Sequence, residues 1–527
     1  YDFPIEPVHD FERADIPARL AEGYPKDWPL ECDALDFGAD GGKEDELAYT
    51  SYYTAVSVDK KLLAISTSAA RILIYDIESK ELRQVLEGVG SAEFRPTITR
   101  VKSVDDTGSA AGDGSVRPGY TLVSSNSDEA SRGGSKVNQL ILWDLDQHGR
   151  ILDEEETIEP DAFAKKAIDA IAPELAAGYE WTREFIDAST LHVEFTKALS
   201  QVATDHRRRH NTVIDNANLG SFGSTCFSSD GKLLLYHSNY RTTQHGMREP
   251  EKLPQVVIYD VDAGKEMHRL SGHTDAIMWS AVSSNDEYVA SVSWDGTLLM
   301  YSASTGELTW VTADSGGQSW AGAFSPDSKF IAWSSKSGKC RCLEWHPTKP
   351  EIALCVGKHT YVWDVFDGPD GKILQHFVMD DGNGRRDMAD VQAIGWMDEG
   401  RLLFLEMSEG TKLVYDTQSN AKELFRRPMG VNTGYVKGGF YGVFAKDEQA
   451  FYMSVDGDGK ARFWRTSVAA FPSWWEKEPT PTVTEKKPFP ETGKYVKATK
   501  RATKRLKEEA AGRDTWAEKG AGLWTAE

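Results

Sequence analysis

The chain has 527 residues, 40% hydrophobic and 27% charged, with 16 Trp, 19 Tyr and 21 Phe to fill a core, a composition that excludes a disordered polymer. A formal net charge of −22 opposes wrapping of nucleic acid, or adsorption on an anionic membrane, by the body of the protein. No run approaches the roughly 18 apolar residues of a membrane helix, and the opening residues lack the basic-then-apolar pattern of a secretory leader.

Cys32, Cys226, Cys340, Cys342 and Cys355 are sparse and odd in number, which points to reduced thiols in cytoplasm or nucleus. Positions 1–38 form an N-terminal extension in which 30–37 alternates and is predicted to supply a strand to the far end of the fold. Positions 39–158 hold two repeat units of predicted hairpins, at 53–66 and 94–125. The second unit carries Gly, Ser and Asp-rich stretches at 105–117 and 124–135, read as long loops.

Positions 159–215 change to Ala, Glu, Lys and Leu and are predicted to form a helical insertion. Pro160-Asp161 opens an apolar pattern through Phe163, Ala167, Ile168 and Ile171; Trp181, Phe185, Phe195, Leu199 and Val202 follow on a second segment. The pair either packs on the neighbouring sheets or is presented to a partner. It ends in Arg207, Arg208 and Arg209, which could grip a phosphate or carboxylate cluster, or could simply be a solvated helix end favoured by the dipole.

Positions 216–470 hold the remaining hairpins, at 225–238, 277–293, 320–335, 343–356, 391–407 and 440–455. The unit at 320–335 has no third and fourth strand before the next begins, which we read as a gap in the sequence near 338–340, the alternative being that the unit is not a full blade. Positions 471–527 are an extended tail, with Pro479, Pro481, Pro488 and Pro490 marking a linker. Lys494, Lys497, Lys500, Arg501, Lys504, Arg505 and Lys507 then follow without an acidic residue. On a helix, Lys497, Lys500, Arg501, Lys504 and Arg505 share a face suited to RNA, an acidic protein groove or an import receptor; a solvated tail is the alternative. Trp516 and Trp524 lie in an otherwise polar end and are candidate docking anchors.

One phrase organises the chain: a run of β-formers, then an aromatic, usually followed by Asp. The aromatics are Tyr75, Trp143, Tyr259, Tyr301, Trp363, Tyr415 and Trp464. The clearest unit, 271–312, reads as strands at 276–283, 288–293, 297–302 and 308–312, separated by Asn285-Asp286, Asp295-Gly296 and Ser304-Thr305-Gly306. Gly272-His273 at its start, the Asp295-Gly296 turn and the terminal Tyr301 resemble a WD repeat.

That resemblance implies an all-β fold: a single β-propeller of four-stranded antiparallel blades, eight by hairpin count with seven as the alternative, carrying the helical insertion and the C-terminal tail. It also implies that His273, Asp295 and Tyr301 stabilise the blade. Trp279, Trp320 and Trp333 lie in or beside strands and could be core, whereas Trp294, directly before a turn, is the aromatic expected at a binding surface.

Catalytic patterns are absent. There is no Gly-x-Ser-x-Gly elbow, no His-Glu-x-x-His, no phosphate loop and no dinucleotide fingerprint. Cys340, Cys342, His346 and Cys355 lack the usual zinc-ligand gap, and the position twelve residues into the loop from Asp456 is Ser467 rather than the bidentate Glu of a calcium site. We therefore expect no enzyme activity, no cofactor, no metal and no small-molecule substrate. The expected role is a scaffold joining protein partners in a multi-subunit assembly; the alternative is a ribonucleoprotein or chromatin component whose basic tail contacts nucleic acid.

Overall fold

The computed structural model describes residues 19–20, 33–37, 52–67, 71–88, 90–102, 116–128, 137–151, 165–166, 168–169, 198, 202, 211–220, 224–238, 253–312, 314–334, 340, 342–356, 359–368, 371–378, 391–407, 412–418, 421–425, 436–437, 440–444, 450–456, 459–465 and 521–525. The fold is all-β and of the β-propeller class. Among the described residues, the strands fall into eight sheets built as antiparallel meanders. The chain divides into two compact units, Tyr52–Asn218 with the first two sheets, and Tyr1–Ser51 with Leu219–Glu527, which hold the other six.

In the smaller unit the first sheet is Tyr52–Val56, Leu62–Ser66, Arg71–Asp76 and Leu82–Glu87. The second is Ala92–Phe94, Val116–Asp128, Val137–Asp146 and Thr212–Asp215. Ile72, Ile74, Phe94, Leu122, Ile141 and Trp143 form the buried layer between them.

In the larger unit the fourth sheet, Ile277–Val282, Tyr288–Ser293, Leu298–Ser302 and Leu308–Val311, is contiguous in the chain. So is the sixth, starting at Cys342–Trp345, while the seventh, starting at Val391–Met397, adds Arg19–Leu20, parallel to Ala421–Phe425, to four contiguous strands. The eighth draws its fourth strand, Asp33–Asp36, from near the other end of the sequence, antiparallel to Lys460–Arg465. Seven sheets thus contain at least three strands that follow one another in the chain. The fifth has only the hairpin Gly322–Phe324 and Phe330–Ser334, completed by Ala521–Thr525.

The repeated aromatic occupies the third place in each of those seven sheets, the bridge Phe227–Leu234 standing first in the third sheet ahead of Leu233–Ser238, Gln255–Asp260 and Lys265–Leu270, and is buried in all of them, from 1% exposure at Tyr75 to 8% at Trp363. This place lies inside the sheet, away from its first edge, so its large side chain is removed from water.

The hairpin turns repeat as well. Ser57, Ser228, Ser283 and Ser325 each donate Oγ–H to Asp59, Asp230, Asn285 and Asp327, two residues on, at 2.7–2.9 Å. The same oxygens accept the backbone N–H that opens the next strand, at Leu62, Leu233, Tyr288 and Phe330. Each turn then passes through a left-handed residue, Lys60, Gly231, Asp286 or Ser328. The side chain at that position links sheets: Asp286 accepts from Ser229, and Ser328 Oγ accepts the Asn285 N–H at 2.9 Å.

Several expectations change. The interval 159–215 is not helical to its end: Thr212–Asp215 pairs with Val137–Asp146, because Val213 and Ile214 fit a pleated surface. Lys165, Lys166, Ile168, Asp169, Ala198 and Val202 are helical, but Ile168 is 52% exposed, sharing an outward face with Lys165. Residues 124–128 are strand rather than loop, since Gly119–Asp128 pairs with Val137–Asp146. Ser124 there accepts the Trp143 indole N–H at 2.9 Å. A gap near 338–340 is not needed to explain the short unit, because its third strand comes from Ala521–Thr525.

Candidate partner-binding surface

The fourth sheet carries the best-defined polar network. His273 Nδ1 donates to Asp295 Oδ2 at 2.9 Å, and the Ser291 hydroxyl meets His273 Nε2 at 2.9 Å. Asp295 also accepts from the Thr274 N–H at 2.8 Å, the Thr297 N–H at 2.9 Å and the Thr297 hydroxyl at 2.6 Å. Burial by itself would raise the Asp295 carboxyl; the bonds from His273, Thr297 and Thr274 outweigh it and hold it well below the usual carboxylate range. Tyr301 stands apart, donating to the Ser271 carbonyl at 3.0 Å and closing the entry loop of the sheet. All of these groups are consumed by structure.

What that network fixes is the Trp294-Asp295-Gly296 turn. Gly296 has φ +82°, and a Cβ there would lie within 2.9 Å of the Gly317 carbonyl, so 314–317 folds directly over the turn. Asp314, Gly316 and Gln318 in that loop are exposed. Trp294 projects beside it and meets Trp320, ring centroids 5.2 Å apart and tilted by 54°. Trp294 was expected to be exposed. It is half-buried instead, because Trp320, leading into the fifth hairpin, covers part of it. Its Nε1 is buried and makes no hydrogen bond, and neither does the fully buried Ser319 Oγ one residue before Trp320. Nothing along the chain marks the Trp294–Trp320 pairing, since the strands Leu298–Ser302 and Leu308–Val311 and their loops separate the two.

The other single tryptophans are core. Trp279 is 1% exposed against Phe324, and Trp333 is buried in T-shaped contact with Trp310. Arg207, Arg208, Arg209, Lys497, Lys500, Arg501, Lys504, Arg505 and Trp516 lie outside the described residues. Trp524 lies in Ala521–Thr525, in register with Ile331. Sequence reading missed that Leu523-Trp524-Thr525 repeats the phrase Leu142-Trp143-Asp144.

Among the described residues no group of three or more His, Cys, Asp or Glu could hold a metal ion. Cys342 and Cys355 are register partners across a strand pair, and neither is in a disulfide. His346 is engaged elsewhere, accepting from the Thr348 and Lys349 backbone N–H groups at 3.1 Å and packing on Trp396. Asp456 pairs in register with Lys460 across a hairpin turn. No described helix is long and apolar enough to cross a membrane.

The fold and this surface define a β-propeller that presents an aromatic ledge beside a polar loop. No family model and no curated protein matches the chain. Among solved structures, it is similar to the crystal structure of Saccharomyces cerevisiae Sqt1, at 9% identity and a TM-score of 0.48, over 84% of this chain and 100% of that one.

Proposed function

We propose that this protein is a non-enzymatic WD-repeat scaffold, working in cytoplasm or nucleus, that binds protein partners through the ledge formed by Trp294, Trp320 and the 314–318 loop. One observation carries the reading: a half-exposed tryptophan pair is held rigidly by a buried hydrogen-bond network that performs no chemistry of its own. Aromatic side chains of this kind bring large contact area at small entropic cost, which is why they anchor interfaces. The acidic character of the chain favours partners with a basic contact surface. The basic run of 494–507 supports a second contact, to nucleic acid, alongside the first.

The test is affinity purification of the intact chain, of Trp294→Ala and of a version ending at Lys477, each with and without ribonuclease. The ledge reading expects Trp294→Ala to lose its main protein partners at least tenfold while its melting temperature holds. Partners indifferent to Trp294→Ala would reject the ledge, and partners lost with ribonuclease or with the tail would shift the function to nucleic-acid assembly. Titration with salt separates the two contacts, because phosphate binding weakens steeply with ionic strength and an aromatic-anchored interface does not.

A further inference from the structure

The fifth sheet is incomplete in its own stretch of chain. After Phe330–Ser334 only positions 335–341 precede the first strand of the sixth sheet, Cys342–Trp345, which leaves no room for two further strands. Yet Phe330–Ser334 is enclosed on both faces. Phe330 and Ala332 pack with Leu343, Trp345 and Ile352 of the sixth sheet, while Ile331 and Trp333 pack with Trp279, Ala290 and Met300 of the fourth. All five residues are buried. One edge of this strand bonds Gly322–Phe324. The other presents backbone donors and acceptors between two apolar layers, where leaving them unpaired is costly.

Ala521–Thr525 fills that edge, antiparallel, in the register Phe330↔Thr525, Ile331↔Trp524, Ala332↔Leu523, Trp333↔Gly522 and Ser334↔Ala521. The register repeats that of the other sheets. In five of them the second residue of the second strand stands opposite the repeated aromatic: Leu63↔Tyr75, Leu234↔Tyr259, Val289↔Tyr301, Ile352↔Trp363 and Leu403↔Tyr415. Ile331↔Trp524 is the same pair. A segment 187 positions beyond Ser334 therefore carries the third-strand phrase and takes the third-strand place. It is uncharged and sets Gly522 in register with Trp333.

We propose that the open edge of Phe330–Ser334 is a strand-addition site for extended, uncharged peptide carrying an apolar-aromatic pair, that Ala521–Thr525 is its intramolecular ligand, and that a partner protein's segment of the same chemistry displaces it. Strand addition draws affinity from main-chain bonds and selectivity from the pockets that alternate side chains enter. Here the selecting elements are Ile331, opposite which an aromatic is required, and Trp333, opposite which only a small residue stands. A tethered ligand competes at an effective concentration near millimolar, so the site responds to partners that bind well or are abundant. The inference does not depend on the Trp294 ledge.

The probe is a fluorescent peptide spanning 519–527, titrated against the full chain and against a version ending at Gly520. The shortened chain should bind it saturably at one to one, at least tenfold more tightly than the full chain, and should recover with excess peptide whatever melting temperature it lost. Peptide with Trp524→Ala, or with proline at both 522 and 523, should bind at least tenfold more weakly; adjacent N–H groups point to opposite edges, so two prolines remove a ladder donor in either phase. A shortened chain with unchanged melting temperature and no peptide binding would overturn the proposal. Should the shortened chain fail to fold alone, folding on addition of peptide, and not of the double-proline peptide, supports it, and failure with both overturns it. Mixed dimers of full and shortened chain at micromolar concentration would assign the edge to a second copy and overturn the partner-peptide assignment.

Discussion

The fourth and fifth sheets are neighbours built on different plans. The fourth takes its four strands from one continuous stretch, Ile277 to Val311, and locks its entry loop to its central turn through His273 and Asp295. The fifth has a hairpin with the corresponding turn, Ser325-x-Asp327 for Ser283-x-Asn285, and likewise buried strands, but takes its third strand from Ala521–Thr525. The contrast shows that a hairpin flanked by two sheets can be as fully buried as a complete blade; what its own stretch of chain does not supply is pairing along one edge, which Ala521–Thr525 provides.

Four perturbations sharpen this contrast, in falling order of effect. Trp279→Ala empties a site where the ring of the fourth sheet lies against Phe324 and Gly322 of the fifth; a loss of about 3–5 kcal/mol is expected by denaturant titration, loosening both sheets together. Asp295→Ala strands three donors and the His273 ring in a buried place, and should cost about 3 kcal/mol; hydrogen exchange should rise across 271–312 and less across 322–334.

The third is a titration with acid. Burial pushes His237 down to about 3, with the charge of His273 adding to the shift, and lowers His346 to about 4, with Lys349 adding. Both are neutral in the fold and take up protons when the chain unfolds, so their contribution is complete above pH about 6.5 and is lost as pH falls toward those values. His237, in the third sheet, is fully buried and bonded to Ser280 of the fourth at 2.8 Å. Thermal melts between pH 7 and 5 should fall for the native chain and fall less for His237→Asn. The smallest effect is Ser328→Ala, which removes the acceptor of the Asn285 N–H at the turn joining the two sheets; about 1 kcal/mol is expected, and no added loss in a variant that already lacks Asn285's neighbouring turn bond to Ser283 would show the two turns to be one unit.

Much of this was legible along the chain. The seven aromatics marked third strands because a mid-sheet position buried on two faces demands a large apolar side chain at a fixed place after a turn. In 271–312 the observed strands fall within a residue of those read from the turn residues, since Asn285-Asp286 and Asp295-Gly296 leave the backbone few alternatives. The candidate surface was half legible. Trp294 could be singled out beside its turn, but its partial burial by Trp320 depends on how two sheets meet, which periodicity does not encode.

Alternation and turn chemistry within some forty residues are enough to set the all-β class, the repeat and the hairpin turns. The alternation at 30–37 already marks a strand for the last unit, whereas the completion of the fifth sheet by Ala521–Thr525 emerges only once the sheets are packed. The physical reason is that an edge strand specifies its partner by backbone bonds and by the shape of the layers on either side. Leu523-Trp524-Thr525 repeats the phrase of the other third strands but does not name its partner, and a five-residue strand separated from that partner by 187 positions can be placed only once those layers exist.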